Sequence, residues 1–162
     1  MAIYMNFNNK SIKGNVTAAG YEDWIELDSF QLGVGRGITM DVGNMANREA
    51  SRPSLSEVSV TKMLDNASGG LFKESLTGVE GVTVQIHIVQ TGAKQVEKYA
   101  AYEFSDVLIS SYSVSASGGS APHEALSLSY SKIVADLQGA DKANKNGQNM
   151  KVGYDLTTGK PQ

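Results

Sequence analysis

The 162-residue chain is 41% hydrophobic and 19% charged, a balance that supports one packed domain and excludes intrinsic disorder. Fourteen basic against seventeen acidic side chains leave a net charge of -3, which offers no basic field to a nucleic acid. The lack of cysteine excludes disulfides, thiolate metal sites and cysteine nucleophiles.

Met1 to Gly14 alternates apolar and polar residues, where a secretory signal would show a basic segment and then an apolar run. No apolar stretch approaches the ~20 residues of a membrane helix. Trp24 to Leu32 reads as a strand whose inward face switches near Asp28 or Ser29, because Ile25 and Leu27 share one phase and Phe30 and Leu32 the other. The segment 33–54 follows, rich in glycine, asparagine and arginine and poor in periodicity, and reads as an extended loop of the kind that carries function. Val58 to Lys62 returns to period two. One helix is expected near Asn66 to Leu76, with Ser68 as its cap, Leu71, Phe72 and Leu76 on one side, and Gly78 ending it in the left-handed conformation.

Val82 to Val89 is the clearest strand, with Val82, Val84, Ile86 and Ile88 inward and Thr83, Gln85 and His87 outward. A second phase switch separates Tyr102 and Phe104 from Val107 and Ile109, the signature of a β-bulge bending a long strand. Leu126, Leu128 and Tyr130 interleave with Ser127, Ser129 and Ser131. The polar run 138–149 reads as a loop or hairpin tip before a last strand around Lys151 to Leu156. About seven or eight strands with one flanking helix predict a mainly β fold of antiparallel strands, a small barrel or a sandwich, as a single domain over 1–162.

Motifs for catalysis are weak. Gly33-Val34-Gly35-Arg36-Gly37 lacks the strand and helix of a dinucleotide fingerprint. His87 and His123 are distant in sequence and no G-x-S-x-G elbow accompanies them. In the acidic cluster Glu22, Asp23, Glu26 and Asp28, Glu26 and Asp28 fit outward strand positions, as a solvated face or an interface pair would. The stretch 141–147 fails as a calcium loop because Ala143 takes a ligand position and Val152 replaces the bidentate glutamate. The expectation is no enzyme, no cofactor and no metal.

The ordered segments Lys13-Gly14, Trp24-Ile25-Glu26-Leu27, Ser29 to Val34, Val58 to Lys62, Asp65 with Ser68, Asp106 to Ser111, and Pro122-His123-Glu124 through Ile133 resemble the haemolysin-coregulated protein family of type VI secretion systems along nearly the whole chain. The resemblance implies an inner-tube subunit: six barrels joined edge to edge in a ring, rings stacked into a tube inside a contractile sheath, a spike at the tip and effector proteins held in the lumen. It implies synthesis in the cytoplasm and secretion by the machine itself, without a signal peptide, nucleic acid or membrane insertion. Within that picture the 33–54 loop is expected to reach the next ring through Arg36, Arg48 and Arg52, and Ser29 and Gln31 are expected to face the lumen and its cargo. The rival readings are a contractile phage tail-tube subunit and a barrel that binds a small molecule.

Overall fold

Residues that alternate in the sequence form strands almost throughout. The computed structural model describes residues 1–40, 42–43, 48–50, 52–91, 96–138 and 149–162. The elements are β1 (Ala2–Phe7), β2 (Ile25–Leu27), β3 (Ser29–Gln31), β4 (Val34–Gly35), β5 (Ile38–Met40), β6 (Arg48–Ala50), β7 (Ser54–Leu55), β8 (Val58–Met63), α1 (Ser68–Thr77), β9 (Val82–Thr91), β10 (Val96–Ser115), β11 (His123–Ser129), β12 (Lys132–Leu137), β13 (Met150–Asp155) and β14 (Lys160–Pro161).

Every main ladder is antiparallel. β1 pairs with β2 on one border and β9 on the other, and β9 pairs with the first half of β10. The second half of β10 pairs with β11, β11 with β8, and β8 with β3. Only Asp28 separates β2 from β3, so this circuit closes into a barrel. β12, β13 and β14 extend from the first half of β10 as a wing.

Both expected phase switches are present. Asp28 and Ser29 are exposed in succession between buried Leu27 and half-buried Phe30. On β10 the register against β9 shifts between Phe104 and Val107, and Asp106 there adopts a left-handed φ of 55°. Gly81 lies so close to this bulge that a Cβ on it would come 2.6 Å from the Asp106 Cα, so only glycine fits. Ser131 Oγ donates to Asp106 Oδ2 at 2.7 Å and holds the bend from the other side.

The barrel interior is filled. Met5, Ile25, Val58, Leu71, Val84 and Ile86 have no accessible surface, and Phe7 and Phe104 have almost none. Each such side chain contributes roughly 1.5–3 kcal/mol by leaving water, and together they occupy the space a barrel-type ligand would need.

The helix departs from expectation in three ways. Ser68 is its first residue and does not cap it; Asp65 Oδ1 accepts the Ala67 N–H at 2.9 Å, while Ser68 Oγ accepts the Asp65 N–H at 2.9 Å. Of the expected apolar side only Leu71 is buried, with Phe72 and Leu76 left exposed. Gly78 is extended (φ -67°, ψ 118°), and glycine is needed there because a Cβ would come 2.7 Å from the Glu74 carbonyl oxygen. The segment expected as an irregular loop also has order. β4 pairs with β7 and β5 with β6, making a two-stage hairpin arm.

Candidate functional site

The four strands β3, β8, β11 and the second half of β10 form one sheet with two contrasting faces. Phe30, Val60, Leu126 and Tyr112 lie in one cross-strand row facing the core. The outward rows are Ser29, Thr61, Ala125 and Ser113, and next to it Gln31, Ser59, Ser127 and Ser111. Small neutral groups fill both rows, with hydroxyls at six of the eight positions. Charge appears at the ends of the sheet, as Asp28 beside His123 (3.6 Å) at one end and Glu57, which accepts from Ser110 Oγ at 2.7 Å, at the other. Ser29 and Gln31 are both exposed on this face, and the Ser29 hydroxyl bonds to that of Thr61.

This sheet has two open borders. The β9 ladder ends at Val107↔Val82, so among the described residues Leu108–Ser115 has β11 on one side and no strand on the other. At the opposite end of the strand order, Ser29–Gln31 pairs with β8 alone.

A buried ionic network closes the end of the sheet where β8 finishes. Lys62 and Glu124 are register partners on the inward face, both with fully buried side chains. Lys62 Nζ donates to Met63 O and Asp65 Oδ1 at 2.8 Å each, to Glu124 Oε2 at 3.2 Å and to Ser68 Oγ at 3.3 Å. Four acceptors around three ammonium protons give a saturated site that ties β8 and β11 to the start of α1. Beside it the Tyr112 phenol is pushed above its ordinary range, first by burial and then by the Glu124 carboxylate. Sequence reading missed this network, although its signal was present. Lys62 continues the inward phase of Val58 and Val60, and Glu124 that of Leu126 and Leu128.

The three arginines expected to reach the next ring stand at separate points along the arm. Arg36 is exposed between β4 and β5. Arg48 begins β6, and its side chain lies outside the described residues. Arg52 is exposed, yet its guanidinium sits against Gly159, where a Cβ would come 3.4 Å from Nη1, so it leans on the subunit's own β13–β14 turn.

On the far side of the barrel, residues 8–24 fold over β1 and β9. Trp24, Val16, Tyr4 and Val89 form a second small core. Gly14 passes against the chain at Trp24 and Ile25, where a Cβ would collide with the Trp24 carbonyl. His87 faces away from the barrel core, as its phase requires, but it is covered: Tyr21 Oη lies 3.1 Å from Nδ1, and the Trp24 ring centroid lies 4.8 Å from the imidazole. Burial, seconded by Lys98 and opposed by Asp136 and Glu103, lowers its pKa to about 4. His87 and His123 stand on different strands, β9 and β11, and no group of three or more histidine or acidic residues that could hold a metal occurs among the described residues. Glu26 and Asp28 face outward as expected, and the calcium-like run 141–147 lies outside the described residues. No helix among them is long and apolar enough to cross a membrane.

The sequence profile of the family described as "Type VI secretion system effector, Hcp" matches residues 4–136. No curated protein matches the sequence at a significant level. Among solved structures, one described as a type six secretion system protein is 27% identical with a TM-score of 0.89, covering 99% of each chain. Hcp1 from Salmonella typhimurium is 23% identical with a TM-score of 0.76, covering 99% of this chain and 98% of that one. The fold alone extends to the baseplate of the anti-feeding prophage, at 11% identity and a TM-score of 0.52 over 83% of this chain and 90% of that one. A profile match over most of the chain and the shared barrel lead to one conclusion: the chain belongs to the Hcp family of type VI secretion systems.

Proposed function

We propose that the protein is a structural subunit of a type VI secretion tube, in which six copies form a ring by pairing the β3 border of one copy with the Leu108–Ser115 border of the next. The observation that carries this reading is the pair of open borders at opposite ends of one four-stranded sheet. Strands alternate in direction across β3, β8, β11 and β10, so β3 and β10 run oppositely. Rotation about a ring axis preserves those directions, and the β3 of one copy therefore meets the β10 of its neighbour antiparallel, the sense of every main ladder in the subunit. Such closure removes edges that would otherwise invite uncontrolled pairing. The hydroxyl-lined face would then form the lumen wall. Ser29 and Gln31 would lie beside the seam, where they contact effector cargo weakly because small neutral groups offer little apolar area to any one partner. Stacked rings within a contractile sheath, a spike at the tip, and release from the cell by that machine complete the reading, which assigns the protein no catalysis.

Gel filtration with light scattering tests it. The expected particle contains six 17.2 kDa chains. Glutamate at both Gln31 and Ser113 places like charges across the proposed seam and should split the ring, whereas Gln31→Glu with Ser113→Lys should retain it. A wild-type protein that stays monomeric at high micromolar concentration would overturn the assignment.

A further inference from the structure

The β3 border of the four-stranded sheet is only three residues long, and backbone bonds formed there replace bonds to water, so each adds a modest amount. Side chains beside the two borders offer more. Tyr130 packs on Phe104 and Phe30 on Tyr102, with ring centroids 5.0 Å apart in each pair. The sheet therefore covers the Phe104 and Tyr102 rows of the barrel wall opposite it, and at β3 it stops. The next row of that wall, Ala100, Leu137 and Met150, runs out past β3 onto the wing. Ile133 and Tyr154, which pack with the core, fix the inward face of β12 and β13. Leu137, Met150 and Val152 share that phase and turn the same way, yet Met150 and Val152 are more than half exposed and Leu137 is 38% exposed. They make an apolar shelf beyond the β3 border.

The other border has an apolar strip of its own. Phe72 packs at 5.2 Å on Tyr112, an inward residue of the open stretch Leu108–Ser115, and Leu76 follows one turn later on the same side of α1. Val114, inward as the register partner of Glu124, extends the strip along the border. All three are at least half exposed.

We infer that the ring is held chiefly by a second contact layer behind the backbone seam, in which the Phe72, Leu76 and Val114 strip of one copy seats on the Leu137, Met150 and Val152 shelf of the next. The inference rests on the ring reading and adds to it the side chains that carry the attraction. A second copy is the occupant because the two surfaces match in kind and in place. Both are apolar, both lie on the core side of the hydroxyl-lined sheet, and they flank opposite borders. Pairing β3 of one copy with Leu108–Ser115 of the next thus carries the strip over the shelf in the same movement. Each copy offers one strip and receives one, and a closed ring leaves neither in water. Burial of aliphatic and aromatic surface supplies the attraction, and the unbranched Met150 adapts to the helix it meets.

The chain has no cysteine, which permits a direct test. The double variant Leu76→Cys/Met150→Cys, treated with a short flexible bis-maleimide, should give linked products of two to six chains on denaturing gels and none larger, because a lateral contact closes on itself. Each single variant should give almost none. Leu76→Glu and Met150→Glu change side chains that the subunit leaves mostly in water, so each should keep the circular dichroism of the parent while raising the concentration of half-dissociation at least tenfold. Leu76→Glu/Met150→Lys should restore the ring. Rings of six that give no linked product, or that ignore both glutamate variants, would overturn the second layer while sparing the ring. Products longer than six chains would also overturn it, since they place the contact between rings. A wild-type protein that stays monomeric would instead overturn the ring reading beneath it.

Discussion

Replacing Lys62 by methionine should be among the most damaging single changes in the molecule. The substitution keeps the aliphatic bulk but leaves the Glu124 carboxylate, which has no accessible surface and whose Oε1 already lacks a well-aligned donor, without its counter-charge. Asp65 Oδ1, Ser68 Oγ and the Met63 carbonyl lose a donor at the same moment. Removing one partner of a buried pair costs about 3–5 kcal/mol, against a total stability of about 5–15 kcal/mol for a domain. With an m-value of about 2 kcal/mol/M, the urea midpoint should fall by about 1.5–2.5 M, measured at fixed protein concentration because assembly adds to apparent stability. The double variant Lys62→Met/Glu124→Leu removes both charges and should recover most of the loss, since an apolar pair of similar volume replaces a buried ion pair at little cost. A single variant that loses less than about 1 kcal/mol, or a double variant no better than the single, would show that the two charges are not coupled in this way.

Acid should loosen the packing of residues 8–24 over β9. The folded pKa of His87, about 4, lies below its ordinary value of 6.5, so its contribution to stability is complete above pH 6.5 and declines as pH falls toward 4, where the folded protein also takes up the proton. After discounting for partial exposure, the loss is about 1–2 kcal/mol. It should show as quenching or shift of Trp24 fluorescence and vanish in His87→Gln; an identical pH profile in that variant would refute the assignment. Gly81→Ala should cost about 2 kcal/mol or more, as overpacking against the Asp106 backbone does, with a thermal melt as readout; a melting temperature within a degree of the parent would show that the bulge yields. Leu71→Ala, which removes the one helix side chain held in the core, should lower stability by about 2–5 kcal/mol. A loss below about 1 kcal/mol would mean that the helix is held by something other than this anchor.

Period-two alternation made the barrel legible, because a strand buried on one face must repeat every second residue. The two phase breaks, near Asp28 and near Asp106, located its bends for the same reason. The helix was harder. Its sequence supports several faces, and the side that packs is chosen by Ile12, whose side chain fills the space over Gly70, and by the Lys62 network; neither is local to the helix. Sequence suggests that Gly78 serves by its conformational freedom, whereas steric approach to Glu74 is what demands glycine there. Phase alone turns Gln31, and Ser29 with it, away from the core, and both side chains are exposed. The arm's ladders escape detection because strands of two or three residues are too short to carry a periodic signal.

β10 runs through 20 residues and belongs both to the small-residue sheet and, below Asp106, to the sheet that carries the wing. Load applied at an inner seam would therefore pass outward along covalent bonds of one backbone, without crossing a side-chain contact. A tube built from such subunits would resist shear through chain connectivity, and its compliance would lie at the register shifts of that strand, the bend beside Gly81 among them.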